Sequence, residues 1–156
     1  MNKRPADYIY KGLWVGPIEE VSESDREYDN IISVCQDTYK ENVSDDVPYH
    51  HIALADDAES VENWGGSCDY TTFRRAVDTL RDVHTPKMGK AGPDTLLHCH
   101  HGKNRSVAVA AAYIACDTSI LTVDGAIRLI EDHRPVADPN NIMRNHAHQY
   151  VRHNCE

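Results

Sequence analysis

Short apolar runs alternate along the chain with longer segments in which apolar residues recur at helical spacing. The runs are typical of strands, and the unbroken apolar character of 30–35 indicates burial on both faces of a sheet. The predicted strands cover 7–16 (one or two strands), 30–35, 49–57 and 95–99. Strands that alternate with helices predict an α/β fold, with a central, mainly parallel (mixed) sheet of about four to five strands flanked by helices.

Four segments carry the helical pattern. The segment 105–117 is small and apolar almost all round, which predicts a buried helix. The segment 122–135 has one apolar face, with Thr122 as its N-cap and Pro135 as its stop. The other two helices are predicted over 70–84 and 140–154.

The intervening segments are polar or rich in glycine and proline. We predict a turn or short helix over 21–30, and connecting loops over 37–48, 58–70 and 85–94. No repeat and no long linker divides the chain, so we expect a single domain over 1–156.

The composition is acidic, with a net charge of -9 from 16 Lys and Arg against 25 Asp and Glu. Asp outnumbers Glu, Lys is scarce and there is one Phe, which favours a halophilic source. Global acidity argues against broad nucleic-acid binding. No apolar run is long enough to span a membrane, and none follows the basic residues at the N-terminus. We therefore expect a cytoplasmic monomer without a membrane partner.

The cysteines are odd in number and form no CxxC pair, which predicts neither a disulfide framework nor a zinc ribbon. Most are expected to be small buried hydrophobes. A cysteine among basic residues is the exception to examine. The five are Cys35, Cys68, Cys99, Cys116 and Cys155.

The segment 98–106, HCHHGKNRS, lies between a predicted strand and a predicted helix. Backbone N–H groups and the helix dipole favour an anion at such a turn. Gly102 permits a backbone conformation that a Cβ would hinder, and Arg105 can hold two phosphate oxygens. A helix N-terminus and nearby cations lower the pKa of a cysteine, so Cys99 is a candidate nucleophile toward phosphorus.

This segment resembles the HCxxGxxR[S/T] signature of cysteine-dependent protein tyrosine phosphatases. From about Asp7 to Val151, the chain also resembles their compact dual-specificity branch, through IYKGLWVG, IISVC, YHHIALADD, AIRLIEDHRP and DPNN in that order. The resemblance implies a dual-specificity (Tyr and Ser/Thr) phosphatase that acts on phosphoproteins. It also implies a cysteinyl-phosphate intermediate and neither a metal nor a cofactor.

The resemblance also implies roles for the loop residues. Cys99 would attack phosphorus and Arg105 would clamp the phosphoryl oxygens. Ser106 would donate a hydrogen bond to the sulfur, and His98 would orient the loop and favour the thiolate. The remaining substrate-binding positions would be His100, His101, Gly102, Lys103 and Asn104.

Outside the loop, the resemblance implies a general acid and a supporting asparagine. The pattern IALAD places Asp56 as the acid, with Asp57 as its competitor. The segment that follows them is longer than in compact relatives. Asn140, in DPNN, would support the phosphate loop, although alone this segment is more typical of a turn and helix cap.

Other functions compete for the same loop. A zinc site on 98–101 is disfavoured, because four consecutive residues rarely converge on one tetrahedral ion. An RNA 5′-triphosphatase would match His101, Gly102, Asn104 and Arg105, but the candidate acid and the serine at 106 favour a phosphomonoesterase. A phosphoinositide phosphatase would use the charge of Lys103. A non-catalytic phosphate-binding module would lose the nucleophile, which is present here.

Cys35 and Cys99 each end a predicted strand. If these strands are parallel neighbours, both thiols lie at the same edge of the sheet, and oxidation could join them as a disulfide. The alternative is that Cys35 is a buried packing residue.

Overall fold

The computed structural model describes residues 4–23, 26–85 and 92–155. Its sheet has five strands in the order β1-β2-β5-β3-β4. β1 and β2 form an antiparallel hairpin, and every other neighbouring pair is parallel, which confirms the mainly parallel mixed sheet. The strands are β1 (Asp7–Tyr10), β2 (Leu13–Gly16), β3 (Asn30–Ser33), β4 (Tyr49–His51) and β5 (Thr95–His98).

Six α-helices lie in the described ranges, together with a single 3-10 turn over Lys40–Asn42. They are α1 (Glu19–Glu23), α2 (Ala58–Trp64), α3 (Tyr70–Val83), α4 (Arg105–Thr118), α5 (Val123–His133) and α6 (Asn141–Asn154).

Consecutive strand residues point to opposite faces of the sheet, and the hydrophobic clusters on the two faces differ in size. Leu97 and Ile32 contribute to the large core that also contains α4. Their neighbours Leu96 and Ile31 contribute to a smaller cluster on the other face. β5 is buried along its whole length between β2 and β3, so the segment that follows it starts from the centre of the sheet.

α4 is the central helix, and it is buried from Arg105 to Ala115. Its alanines let α3, α5 and α6 approach closely, and this all-round burial confirms the predicted buried helix. The next helix begins as predicted, because the Thr122 hydroxyl accepts a hydrogen bond from the N–H of Gly125 at 3.0 Å.

Two predictions between 49 and 70 were wrong. The strand predicted to reach Asp57 ends at His51, because the chain beyond it pairs with the segment after α2 instead: Leu54 forms an isolated bridge with Ser67. The predicted loop contains α2, because the Asp57 carboxylate caps its first turn by accepting from the N–H of Ser60 at 2.7 Å. In the predicted connector over 85–94, residues 86–91 lie outside the described residues.

The expectation about cysteines also needs correction, because Cys116 and Cys155 form a disulfide. They lie at the C-terminal ends of α4 and α6, which pack side by side and bring the two Cα atoms within 5.3 Å.

Across the described ranges no single helix is long and apolar enough to cross a membrane. One pair, α4 with α5, meets the length and composition criteria jointly, across a bend of 117°.

Candidate active site

The phosphate loop, residues 98–106, connects β5 to α4 at the carboxyl edge of the sheet. Its carbonyl groups point outward. The carbonyl of His100 accepts from the N–H of Ile18 at 3.2 Å, and that of Lys103 accepts from the N–H of Asp138 at 2.6 Å. Because the carbonyls are bound outside, the amide groups face the inside of the loop, where an anion would be held.

The Cys99 thiol lies at the bottom of this loop, and the residue is 2% exposed. Burial alone would raise its pKa. The Arg105 charge, the Ser106 hydroxyl 3.1 Å from Sγ, and the N–H groups of Ser106 and Gly102 outweigh burial, and together they lower the pKa below its ordinary value. The structure therefore brings together the predicted nucleophile and four groups, from three residues, that stabilise its thiolate.

Arg105 is held along one edge only. Its Nη1 donates to Gln36 Oε1 at 2.5 Å and to the carbonyl oxygen of Leu54 at 2.9 Å. Its Nε is buried and has no hydrogen-bond partner among the described residues. A buried donor without a partner is costly, so the Nε edge of the guanidinium fits an oxyanion, which would accept a hydrogen bond from Nε.

His98 is fully buried and binds the loop rather than the sulfur. Nδ1 donates to the carbonyl oxygen of Cys99 at 3.1 Å, and Nε2 accepts from the hydroxyl of Ser33. Burial lowers the pKa of His98 to about 4, so the ring is neutral near pH 7. The ring thus connects β3 to the backbone of Cys99, and its roles in orienting the loop and favouring the thiolate stay predictions.

Arg134 holds the loop from behind and was missed in the sequence. Its side chain is fully buried, and it donates from Nε to the carbonyl of Gly102 at 2.6 Å and from Nη2 to that of His101 at 3.1 Å. Gly102 has φ +68°, and a Cβ there would lie 2.6 Å from the backbone of Gly16. The only sequence signal for Arg134 is a basic residue just beyond an amphipathic helix.

The two candidate acids occupy different positions. Asp56 lines the pocket above the phosphate loop, and its Oδ2 accepts from Asn104 Nδ2 at 3.4 Å. The carboxylate of Asp57 is instead engaged as the N-cap of α2. Asn140 caps α6, because its Oδ1 accepts from the N–H of Met143. Its Nδ2 donates to the carbonyl of Asp56 at 3.0 Å, and its N–H reaches the phosphate loop by donating to Asn104 Oδ1 at 2.9 Å.

The pocket has a volume of about 410 Å³. His100 and His101 line it, whereas Lys103 is exposed outside the lining, and the substrate contacts expected of all three stay predictions. Sequence reasoning missed the contributions of Gln36, Tyr39, Ser60 and Trp64. The full lining is Cys35, Gln36, Asp37, Tyr39, Asp56, Ser60, Trp64, His100, His101 and Arg105.

Cys35 lies just beyond β3, which is a parallel neighbour of β5, as the redox hypothesis requires. Burial raises the pKa of its thiol to about 12, so it stays protonated, and its Sγ lies 3.4 Å from the carbonyl of Asp37. A bond to Cys99 stays a prediction. Among the described residues, no group of three or more His, Cys, Asp or Glu side chains is arranged to hold a metal ion.

Several solved structures share this fold. DUSP15 is 20% identical, with 94% of this chain and 86% of that chain covered and a TM-score of 0.73. Human DUSP28 is 18% identical, with coverages of 97% and 96% and a TM-score of 0.73. The Yvh1 phosphatase domain from Chaetomium thermophilum is 18% identical, with coverages of 96% and 97% and a TM-score of 0.70. At these identities the likeness concerns the fold alone.

No protein with a curated description matches the sequence. The family model for the dual specificity phosphatase catalytic domain matches residues 22–152, which include the whole phosphate loop and both candidate acids. The chain therefore belongs to the dual-specificity phosphatase family, within the cysteine-dependent protein tyrosine phosphatases.

Proposed function

We propose that this protein hydrolyses phosphomonoesters on the tyrosine and serine or threonine side chains of phosphoproteins, through a cysteinyl-phosphate intermediate. One observation carries the proposal: a thiol of lowered pKa lies beneath inward-facing amides and beside a buried Arg105 Nε that has no protein partner. This arrangement holds a phosphoryl group and a nucleophile in one place.

In the first step the Cys99 thiolate attacks phosphorus. The S–P bond forms while the P–O bond to the side chain breaks, and Asp56 gives its proton to the leaving oxygen. Arg105 and the loop amides bind the three equatorial oxygens, whose charge they stabilise in the transition state.

In the second step water attacks the phosphocysteine. Asp56, now a carboxylate, takes a proton from the water as the new O–P bond forms and the S–P bond breaks. The Ser106 hydroxyl, 3.1 Å from Sγ, stabilises the thiolate that leaves, and inorganic phosphate is released.

The position of Asp56 supports its role as the acid. It lies in the pocket lining, and Asn104 and Asn140 bind its side chain and its backbone carbonyl. Asp57 faces away into a helix cap. We expect Asp56→Asn to lower kcat for phosphopeptides by about 10²–10⁴-fold, and the matched Asp57→Asn to keep kcat within about threefold. The reverse order would reassign the acid.

A substrate panel tests the function as a whole. Phosphotyrosine and phosphothreonine peptides, a phosphoinositide and triphosphate-ended RNA are compared at low and molar salt, with wild type, Cys99→Ser and Arg105→Lys. We expect release of phosphate from both peptides by the wild type and none by Cys99→Ser. A preference for the RNA or the phosphoinositide would contradict the proposed substrate class.

A further inference from the structure

Helix α2 is held at its two ends and not by a buried face. None of its residues is buried. Asp57 caps its start, and after its end the N–H of Ser67 donates to the carbonyl of Ala53 at 3.0 Å while the carbonyl of Ser67 accepts from the N–H of Ala55 at 2.9 Å. Hydrophobic packing does not explain why this segment is fixed beside the pocket.

The turn after α2 is specified by the sequence. Gly66 has φ +77°, and a Cβ at this position would lie 2.6 Å from the carbonyl oxygen of Ala53. A glycine is therefore required for the close backbone approach that pins the helix. These contacts hold the backbone just after α2, whose last residue is Trp64.

Trp64 is 73% exposed, yet it lines the pocket. Ser60, one helical turn earlier on the same face, lines the pocket too. A large aromatic side chain left in water at the edge of a pocket forgoes the free energy of its burial, which a bound molecule would recover.

The rest of the lining fits an aromatic phosphate. Tyr39 is a second aromatic residue of the lining, and its ring packs edge-on against the ring of His98, with centroids 5.7 Å apart. Arg105 lies at the phosphate end of the same pocket. The pocket thus combines an anion site with exposed aromatic surface.

We propose that Trp64 is a specificity-determining residue that packs against the phenyl ring of phosphotyrosine while the phosphoryl group sits in the loop. The inference rests on the proposed function and adds a preference within it. Phosphoserine and phosphothreonine carry no ring, so the indole contact favours the tyrosine substrate alone.

The test compares Trp64→Ala with wild type on two peptides that differ only in phosphotyrosine or phosphothreonine. We expect KM for the phosphotyrosine peptide to rise about tenfold with kcat nearly unchanged, and both parameters for the phosphothreonine peptide to stay within about twofold. Trp64→Phe should keep most of the preference. Unchanged phosphothreonine kinetics also show that the variant is folded.

The matched control is Trp14→Phe, which changes the other tryptophan. Trp14 lies in β2, and its ring stacks on the Arg26 guanidinium at 3.9 Å, outside the pocket lining. In the Cys99→Ser variant, phosphotyrosine peptide should quench tryptophan fluorescence, and inorganic phosphate should not. Adding Trp64→Phe should abolish the quench, and adding Trp14→Phe should not.

The outcomes separate the two proposals. If the wild type releases phosphate from neither peptide, the proposed function fails. If it cleaves phosphotyrosine while Trp64→Ala loses nothing, or loses equally on both peptides, the function stands and the role of Trp64 is overturned.

Discussion

The burial of the His98 ring predicts how the free energy of unfolding depends on pH. It lies between the Ser33 hydroxyl and the carbonyl of Cys99, with no exposed surface. Burial lowers its pKa to about 4, against an ordinary value of 6.5. Each pKa unit corresponds to 1.36 kcal/mol, so the neutral ring is linked to about 3 kcal/mol of folding free energy.

The sign follows from which state binds the proton. Between pH 6.5 and pH 4 the unfolded chain protonates this histidine and the folded chain does not. The contribution is therefore fully present above pH 6.5 and is lost as the pH falls toward 4. About 2.5 kcal/mol of it should disappear between pH 7.5 and pH 4.5.

Urea unfolding at a series of pH values measures this loss. The free energy of unfolding of wild type, minus that of His98→Asn, should shrink by about 2.5 kcal/mol from pH 7.5 to pH 4.5. If the free energies of unfolding of wild type and His98→Asn changed with pH in parallel, the account of a neutral, buried ring would be refuted.

Two further predictions concern the cysteines. The rate at which iodoacetamide alkylates Cys99 should reach half its maximum at a pH below about 8.5, the ordinary pKa of a thiol, because the thiolate persists to lower pH. Ser106→Ala should move this midpoint to higher pH. Cys116→Ser opens a disulfide that spans 39 residues, so it should lower the free energy of unfolding by up to about 4 kcal/mol and leave kcat nearly unchanged. Denaturation and kinetics with and without reductant measure the second.

The phosphate loop was predictable because its chemistry is local. The nucleophile, the glycine of positive φ and the phosphate-binding arginine lie within seven residues, between an apolar strand and a helix of small residues. Residue types that demand a particular backbone or charge environment identify such a loop in the sequence itself.

The supports of the loop were not predictable, because they come from distant parts of the chain. Arg134 reaches the carbonyl of Gly102 across 32 residues, and Gln36 reaches Arg105 across 69. Nothing local distinguishes such an arginine or glutamine from an exposed one.

Helix α2 was missed for a different reason. Acidic residues and the Gly65-Gly66 pair are typical of a loop, and Asp57 follows an apolar run. The sequence therefore predicts a strand end and a loop where Asp57 in fact caps a helix. The apolar residues of α2, Ala58, Val61 and Trp64, are spaced three apart, but seven residues are too few for this spacing to distinguish a helix from a loop. The same helix gives the two aspartates different surroundings, because Asp57 caps it whereas Asp56 lines the pocket.

The central claim is that phosphate passes through Cys99, and Ser106→Ala offers the most direct test. Loss of the hydroxyl 3.1 Å from Sγ should slow the second step more than the first. Rapid mixing with p-nitrophenyl phosphate should then give a burst of about one equivalent of p-nitrophenol per enzyme, and mass spectrometry of the quenched protein should locate phosphate on Cys99. A linear time course with no phosphate on Cys99, from a variant that still turns over, would contradict the mechanism.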